Sequence, residues 1–328
     1  MTTRRGNVVR AWPAALLVAA VLTLCGCGTQ AREPGPGGPL ARGSTVTLMD
    51  AQGVEVSVAG RPERIVSAAP TVTEILFALG AGDRIAAVTN QCDYPPEAEG
   101  LPRIGGWFTP STEKAMAARP DLVIGSRGNP TDFIAAMRKS GCPVFTIDPK
   151  TLDDIYEAIG QIARIIGEAE AGEALVGRMR DRLGAVAARV SDVPEGERPT
   201  AFIMLQVSPL WTAGKGTFQD DAIRAAGARN LGAEKNGFAP YSTETLMAAD
   251  PDFLLLSTME GDPERMRREV LGDSALRRLS AARGDGIVVL EADPIMRPGP
   301  RIVEAVEAMA RAFYAARFEG AGSAAARQ

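Results

Sequence analysis

Between Arg64 and Phe318, short apolar runs alternate with stretches whose apolar residues recur at helical spacing. Ile65–Ser67, Ile85–Val88, Leu122–Ile124 and Val144–Ile147 are brief and apolar, as expected of strands buried on both faces of a parallel sheet. Helices are predicted between them over Val72–Leu79 and Asp132–Lys139. Thr71 stands where a cap for the first would be, with Glu74 three residues on as its capping-box partner. The second half follows the same order. It predicts a strand over Ala201–Gln206, a helix over Phe218–Ala226, strands over Phe253–Leu256 and Ile287–Leu290, a loop over Asp293–Arg301 and a closing helix over Ile302–Phe318. Leu152–Ile166 and Glu168–Val190 separate the halves and are amphipathic, with Ile155, Ile159, Ile162 and Ile166, then Leu175, Met179, Leu183 and Val186, on one face. The second of these has no proline before Pro194, so at 1.5 Å per residue it reaches roughly 30 Å. Ahead of this body, Val46–Leu48 and Val54–Val58 alternate around Asp50–Gly53 and predict a hairpin. The expected class is α/β, with two Rossmann-like lobes, each holding a parallel sheet, joined by a long backbone helix.

One phrase occurs twice. Ser111–Ser126 reads STEKAMAARPDLVIGS and Ser242–Ser257 reads STETLMAADPDFLLLS, with nine of sixteen positions identical and no gap. In each copy a serine is placed to cap a short helix, and Glu113 or Glu244 falls in the first turn, where a carboxylate suits the helix dipole. Pro120 or Pro251 ends the helix before the apolar strand. A repeat of about 130 residues is too long for a solenoid and fits a duplicated lobe, with a cleft between the copies.

Composition narrows the chemistry. The chain of 328 residues is 45% hydrophobic and 23% charged, with a formal net charge of −4, which offers no general basic surface for nucleic acid. It contains no histidine. Ser-His-Asp and Cys-His catalysis and His-ligated haem are therefore excluded, and a first-row metal site is disfavoured. Arg4, Arg5 and Arg10 precede an apolar Ala11–Leu24 segment that is too short to be a comfortable membrane span. It ends in Leu24-Cys25-Gly26-Cys27, which resembles a lipobox and implies lipidation of Cys27. A Gly/Pro-rich tether follows over residues 28–44. The expected layout is a leader and anchor at 1–27, a tether at 28–44, a first lobe at 45–150, connecting helices at 151–198, a second lobe at 199–318 and a disordered tail at 319–328. Such a chain is held to a membrane only through its lipid, with its body on the extracytoplasmic or periplasmic face. Cys92 and Cys142 are expected at opposite ends of parallel strands, too far apart to bridge, and so remain free thiols.

In parallel α/β sheets, ligands meet the loops beyond the carboxyl ends of the strands. Those loops carry Tyr94, Trp107 and Arg127 in the first half, and Trp211, Phe238, Tyr241, Arg297 and Arg301 in the second. Aromatic residues make up only 5% of the chain, so their presence on Gly/Pro-stiffened loops is informative. Arg297 and Arg301 stand near a helix N-terminus, which disfavours cations and points to an anionic partner.

The segments RIVSAAPTVTEILFALGAGDRIAAVT, CDYPPEA, RPDLVIGSRGNP, TLDDIYEAIGQIARIIG and WTAGKG together resemble the substrate-binding proteins of ABC importers for cobalamin and ferric siderophores. The resemblance runs from about Arg64 to Phe318, and within it the cobalamin binders are nearest. It implies the helical-backbone periplasmic binding fold, a monomer, and a permease dimer as membrane partner. It also implies that Tyr94, Trp107 and Trp211 embrace a corrinoid, and that Glu113 and Glu244 dock one on each permease subunit. Two departures stand out. Ser126 replaces a tryptophan of those binders, and Phe238 is the nearest match to another. A ferric siderophore, neutralised by Arg127, Arg297 and Arg301, is the alternative ligand, followed by haem held by Tyr94. A chelatase-like extracytoplasmic enzyme is the alternative of a different class, although the sequence offers no nucleophile–base pair, metal cluster or phosphate loop.

Overall fold

The computed structural model of the chain describes residues 44–258 and 262–318. The expectations for Cys27, for the tether up to residue 43 and for the tail at 319–328 lie outside the described residues.

β1 (Thr45–Met49) and β2 (Glu55–Ala59) form the antiparallel hairpin that the alternation predicts. Asp50 closes its turn by accepting the N–H groups of Gln52 and Val54. Its other oxygen accepts from Arg138 at 2.6 Å and from Thr146 Oγ1 at 2.7 Å, which fastens the hairpin to the first lobe.

That lobe comprises β3 (Ile65–Ser67), α1 (Pro70–Ala78), β4 (Ile85–Val88), a ribbon of β5 (Gly105–Gly106) and β6 (Thr109–Pro110), α2 (Thr112–Ala117), β7 (Leu122–Ser126), α3 (Thr131–Lys139) and β8 (Val144–Ile147). Its sheet runs β4-β3-β7-β8, all parallel. The apolar runs fill it, with Ile65, Val66, Ile124 and Phe145 fully buried.

α4 (Leu152–Ile165) and α5 (Ala169–Val190) form the connector. Thr151 and Asp154 cap α4 reciprocally. α5 spans roughly 33 Å, packs along α4, and continues onto the helices of the second lobe. Gly172 lets the two connector helices approach closely, since a Cβ there would collide with that of Ala163.

The second lobe comprises β9 (Thr200–Met204), β10 (Trp211–Ala213), α6 (Phe218–Ala225), β11 (Arg229–Asn230), β12 (Phe238–Pro240), α7 (Thr243–Ala249), β13 (Phe253–Leu256), α8 (Pro263–Gly272), α9 (Ser280–Arg283), β14 (Ile287–Val289), α10 (Ala292–Met296), α11 (Ile302–Phe313) and α12 (Ala315–Phe318). Its sheet runs β11-β9-β13-β14, again parallel. Both sheets thus have the spatial order second, first, third, fourth. The bidentate pair of Arg182 with Glu307 joins α5 to α11.

Four expectations are corrected. Thr71 does not cap α1, because Pro70 already occupies the first turn and draws Thr71 inside the helix, and Glu74 is buried instead of reaching back to the cap. Trp211 and Phe238, expected in loops, lie on the paired strands β10 and β12. The Asp293–Arg301 segment, expected as loop, opens with α10. The closing helix breaks at Tyr314, whose hydroxyl donates to Gly227 O at 2.7 Å. Cys92 and Cys142 are free, the first buried and the second half-buried.

Candidate functional site

In the first lobe the chain passes from β4, on one side of β3, to β7 on the other. This reversal opens a crevice at the carboxyl ends of β3 and β7. Asn129 clips the crevice together, its Nδ2 donating to Ala68 O at 2.8 Å and to Trp107 O at 3.1 Å while its Oδ1 accepts from Ser126 N. Gln91 Oε1 accepts from Trp107 N at 2.9 Å. These contacts fix the β5–β6 hairpin, whose two-residue tip is Trp107-Phe108. The two rings stack with centroids 4.6 Å apart and planes at 29°. Trp107 is half-buried against the core, whereas Phe108 is 53% exposed. Phe108 is therefore the outer ring of the pair, and sequence reasoning passed over it. Its place beside Trp107 in a Gly-Gly-X-X-Thr turn was the available signal. Gly128, at φ +102°, lies beneath the pair, and a Cβ there would stand 3.0–3.1 Å from both rings. Arg127 is exposed beside it, and its guanidinium has no partner among the described residues.

The corresponding ribbon of the second lobe pairs Trp211 with Pro240 and Ala213 with Phe238. Trp211 is half-buried and Phe238 is 44% exposed. Tyr241 sits differently from its expected place in the cleft. It is buried in the second-lobe core, with its ring 4.8 Å from that of Phe202, because it follows the ribbon into the apolar layer under α7.

The lobes meet where the loop after β4 faces α10 and the start of α11. Arg297 Nη1 reaches Glu74 Oε1 at 3.0 Å and Asp93 Oδ1 at 2.8 Å, and Nη2 reaches Asp293 at 2.8 Å. Arg301 lies over the Tyr94 ring, 3.9 Å from its centroid, and contacts Glu304 at 3.3 Å. The anionic partners that these arginines called for are thus carboxylates of the chain itself. Arg297 is paired with three of them, and Arg301 bonds Glu304 while its Nη1 has no hydrogen-bond partner. Burial pushes the Glu74 carboxyl up to about 7 despite the hydrogen bond from Arg297. Burial is also the largest single influence on Asp93 and acts in the same sense, but the hydrogen bond and charge of Arg297, a backbone N–H and the charge of Arg301 together outweigh it and hold this carboxyl below its ordinary range. Tyr94 remains 39% exposed at the edge of the junction. A depression of about 460 Å³, lined by Glu264 and residues 289–293, adjoins α10.

The repeated phrase folds the same way twice. Ser111 caps α2 and Ser242 caps α7, leaving Glu113 and Glu244 exposed in the first turns. The backbone turns left-handed at Arg119 (φ 48°) and Asp250 (φ 40°). Asp121 then accepts the N–H groups of Glu63 and Arg64, and Asp252 accepts from Thr200 N and Oγ1. In each lobe the repeated aspartate secures the start of the first strand.

Among the described residues, no group of three or more Cys, Asp or Glu side chains is arranged to hold a metal ion. No helix among them is long and apolar enough to cross a membrane.

Residues 65–294 match the family pattern described as periplasmic binding protein. An ABC transporter substrate-binding lipoprotein of Bacillus subtilis is 29% identical over 93% of this chain and 97% of its own length. A vitamin B12-binding protein of Vibrio cholerae is 30% identical over 75% of this chain and 87% of its own. Among solved structures, a periplasmic haem-binding protein of Roseiflexus in apo form superposes with a TM-score of 0.69 at 30% identity, covering 78% of this chain and 99% of that one.

Proposed function

The chain belongs to the periplasmic binding protein family, and on that premise we propose that it binds a corrinoid, cobalamin or a close relative, between its lobes and delivers it to the permease dimer of an ABC importer. It is a binding protein and not an enzyme, as its relatives are solute-binding proteins. The observation that carries the corrinoid is the distribution of rings and charges. Phe108 and Tyr94 on one lobe and Phe238 on the other are exposed, while Arg297 is paired with internal carboxylates and Arg301 is engaged by Glu304 and the Tyr94 ring. Such a cleft suits a bulky, largely neutral guest held by ring contacts. Of the three arginines that could compensate a ferric siderophore, Arg127 alone makes no contact with a carboxylate of the described residues. Haem is the second reading, favoured by the partly exposed Tyr94 and by the similar haem-binding structure.

In the same reading, Glu113 and Glu244 contact basic residues on the two permease subunits, since a body with two matching acidic tips suits a twofold partner. The Cys27 lipid anchors the monomeric protein at the extracytoplasmic face, which the name of the Bacillus relative supports. Titrating the protein lacking its leader with cyanocobalamin, a ferric siderophore and haemin, while following tryptophan fluorescence, tests the ligand. Saturable one-to-one quenching by cyanocobalamin is expected. Saturable binding of haemin or the siderophore with cyanocobalamin inert would overturn the proposal.

A further inference from the structure

We infer that Glu74 is a positioning residue of the cleft: from under the junction it holds Arg297 and Arg301 of the second lobe, and through them locks the loop bearing Tyr94 against the opposite lobe. Glu74 lies on α1 and is only 3% exposed. Its cover comes from the other lobe, where Arg297 bonds to Oε1, Arg301 stands 3.8 Å from the same atom, and Gly299 lies against Oε2. The arginines then reach back to the first lobe. Arg297 holds Asp93 and Gln91 O, and Arg301 holds the Tyr94 ring. Glu74 thus acts on the ligand loop through two side chains of the opposite lobe.

The junction has a built-in cost. Glu74 Oε2 and Arg301 Nη1 are both buried without a hydrogen-bond partner. A charged carboxylate so placed loses more hydration than its arginine contacts return, which is why burial raises its pKa to about 7. Parting the lobes would return Glu74 to water. The sign follows. The closed junction binds the proton more tightly than the open one, so closure is favoured at low pH and weakens as pH rises from the ordinary carboxylate range through about 7.

The other groups at this junction are Asp93 and Tyr94 on the loop after β4, Asp293 on α10, Arg297 just after it, Arg301 before α11, Glu304 on α11, and Glu291 near Arg301. Asp93 is held below its usual range. Burial pushes the nearby Cys92 thiol up, which keeps it neutral at pH 7. Burial also raises Asp293, against the pull of Arg297, so Asp293 is the competing titratable group.

The test measures the distance between spin labels at Lys114→Cys and Thr245→Cys, in a Cys142→Ser background, from pH 5 to pH 8.5 without ligand. The unliganded protein is expected to shift toward longer distances as pH rises from the ordinary carboxylate range to about 7, and to change little above that. Glu74→Gln, a neutral isostere, should stay closed at every pH, and Glu74→Ala should be open at every pH. Circular dichroism checks that both variants fold, and Asp93→Asn gives a second, solvent-edge weakening of the same clasp if Glu74→Ala does not fold. An unchanged pH profile in Glu74→Gln, or its abolition by Asp293→Asn but not by Glu74→Gln, would overturn the inference. As a second readout, which rests on the proposed ligand, cyanocobalamin should bind about five- to tenfold more tightly at pH 5.5 than at pH 8. The distance measurement decides on the clasp even if cyanocobalamin does not bind.

Discussion

The two copies of the repeated phrase share a backbone and differ in charge. Both have a serine cap, an exposed glutamate, a left-handed turn and an aspartate that secures a strand. At the first tip, Lys114 and Arg119 offset Glu113, and Arg64 donates to Ala118 O and Arg119 O at the end of α2. At the second, the matching positions are Thr245 and Asp250, and Asp250 instead accepts from Ser280 N and Oγ at the start of α9. The features that specify the fold are kept, whereas the surface around each glutamate has diverged. On this comparison the second tip presents the stronger negative field to a basic partner.

The largest predicted effect follows from that difference. Glu244→Lys should reduce transporter-coupled uptake by roughly 30- to 100-fold, and Glu113→Lys by about tenfold, with ligand affinity unchanged in both. Equal losses would show that the surrounding charges do not matter, and loss of ligand binding would remove the docking role. Next come the features the copies share. Asp121→Ala and Asp252→Ala should each destabilise the protein by about 1–2 kcal/mol, measured by denaturant unfolding, because each strands backbone donors at a strand start. Asp250→Ala should weaken only the second lobe. The Ser280 hydrogen bonds hold the Asp250 carboxyl low, so its contribution is present above the unfolded pKa and is lost as acid protonates it.

Among the described residues, no glycine lies against the rings of the second ribbon as Gly128 lies against those of the first. Gly128→Ala should cost about 1 kcal/mol and displace the Trp107–Phe108 pair, with a matching loss of cyanocobalamin affinity, because its φ is positive and its Cβ would press both rings. The smallest effects compare single rings across the cleft. Phe108→Ala and Phe238→Ala should each weaken cyanocobalamin binding by about three- to tenfold without altering stability. An effect confined to one lobe would place the ligand on that lobe alone.

Wherever local pattern alone decides the element, the fold was legible. The runs Ile65–Ser67 and Val144–Ile147 form strands over the expected residues, and the long period from Leu175 to Val186 forms the spine. Elements held by distant partners were not legible. Glu74 satisfies a local capping rule in sequence, yet it bonds an arginine 223 residues away. β10 and β12 are three residues each, too short to show alternation. Pro294, Pro298 and Pro300 hid the single turn of α10, and the heavily charged α8 drew no prediction. At the site, Tyr94, Trp107, Arg127, Trp211 and Phe238 could be proposed because aromatic residues and arginines on strand-end loops stand out. Phe108 was passed over although its place beside Trp107 in the Gly-Gly-X-X-Thr turn marked it, and Asn129 was not legible, since only the folded crevice reveals what it does. Tyr241 was misplaced because loop membership does not show which way a side chain faces.

Backbone hydrogen–deuterium exchange with and without cyanocobalamin tests the shared cleft most directly. Binding between the lobes predicts simultaneous protection of residues 91–94 and 105–108 on the first lobe and of 211–213 and 237–240 on the second. Protection limited to one lobe, or none at saturating cyanocobalamin, would contradict it.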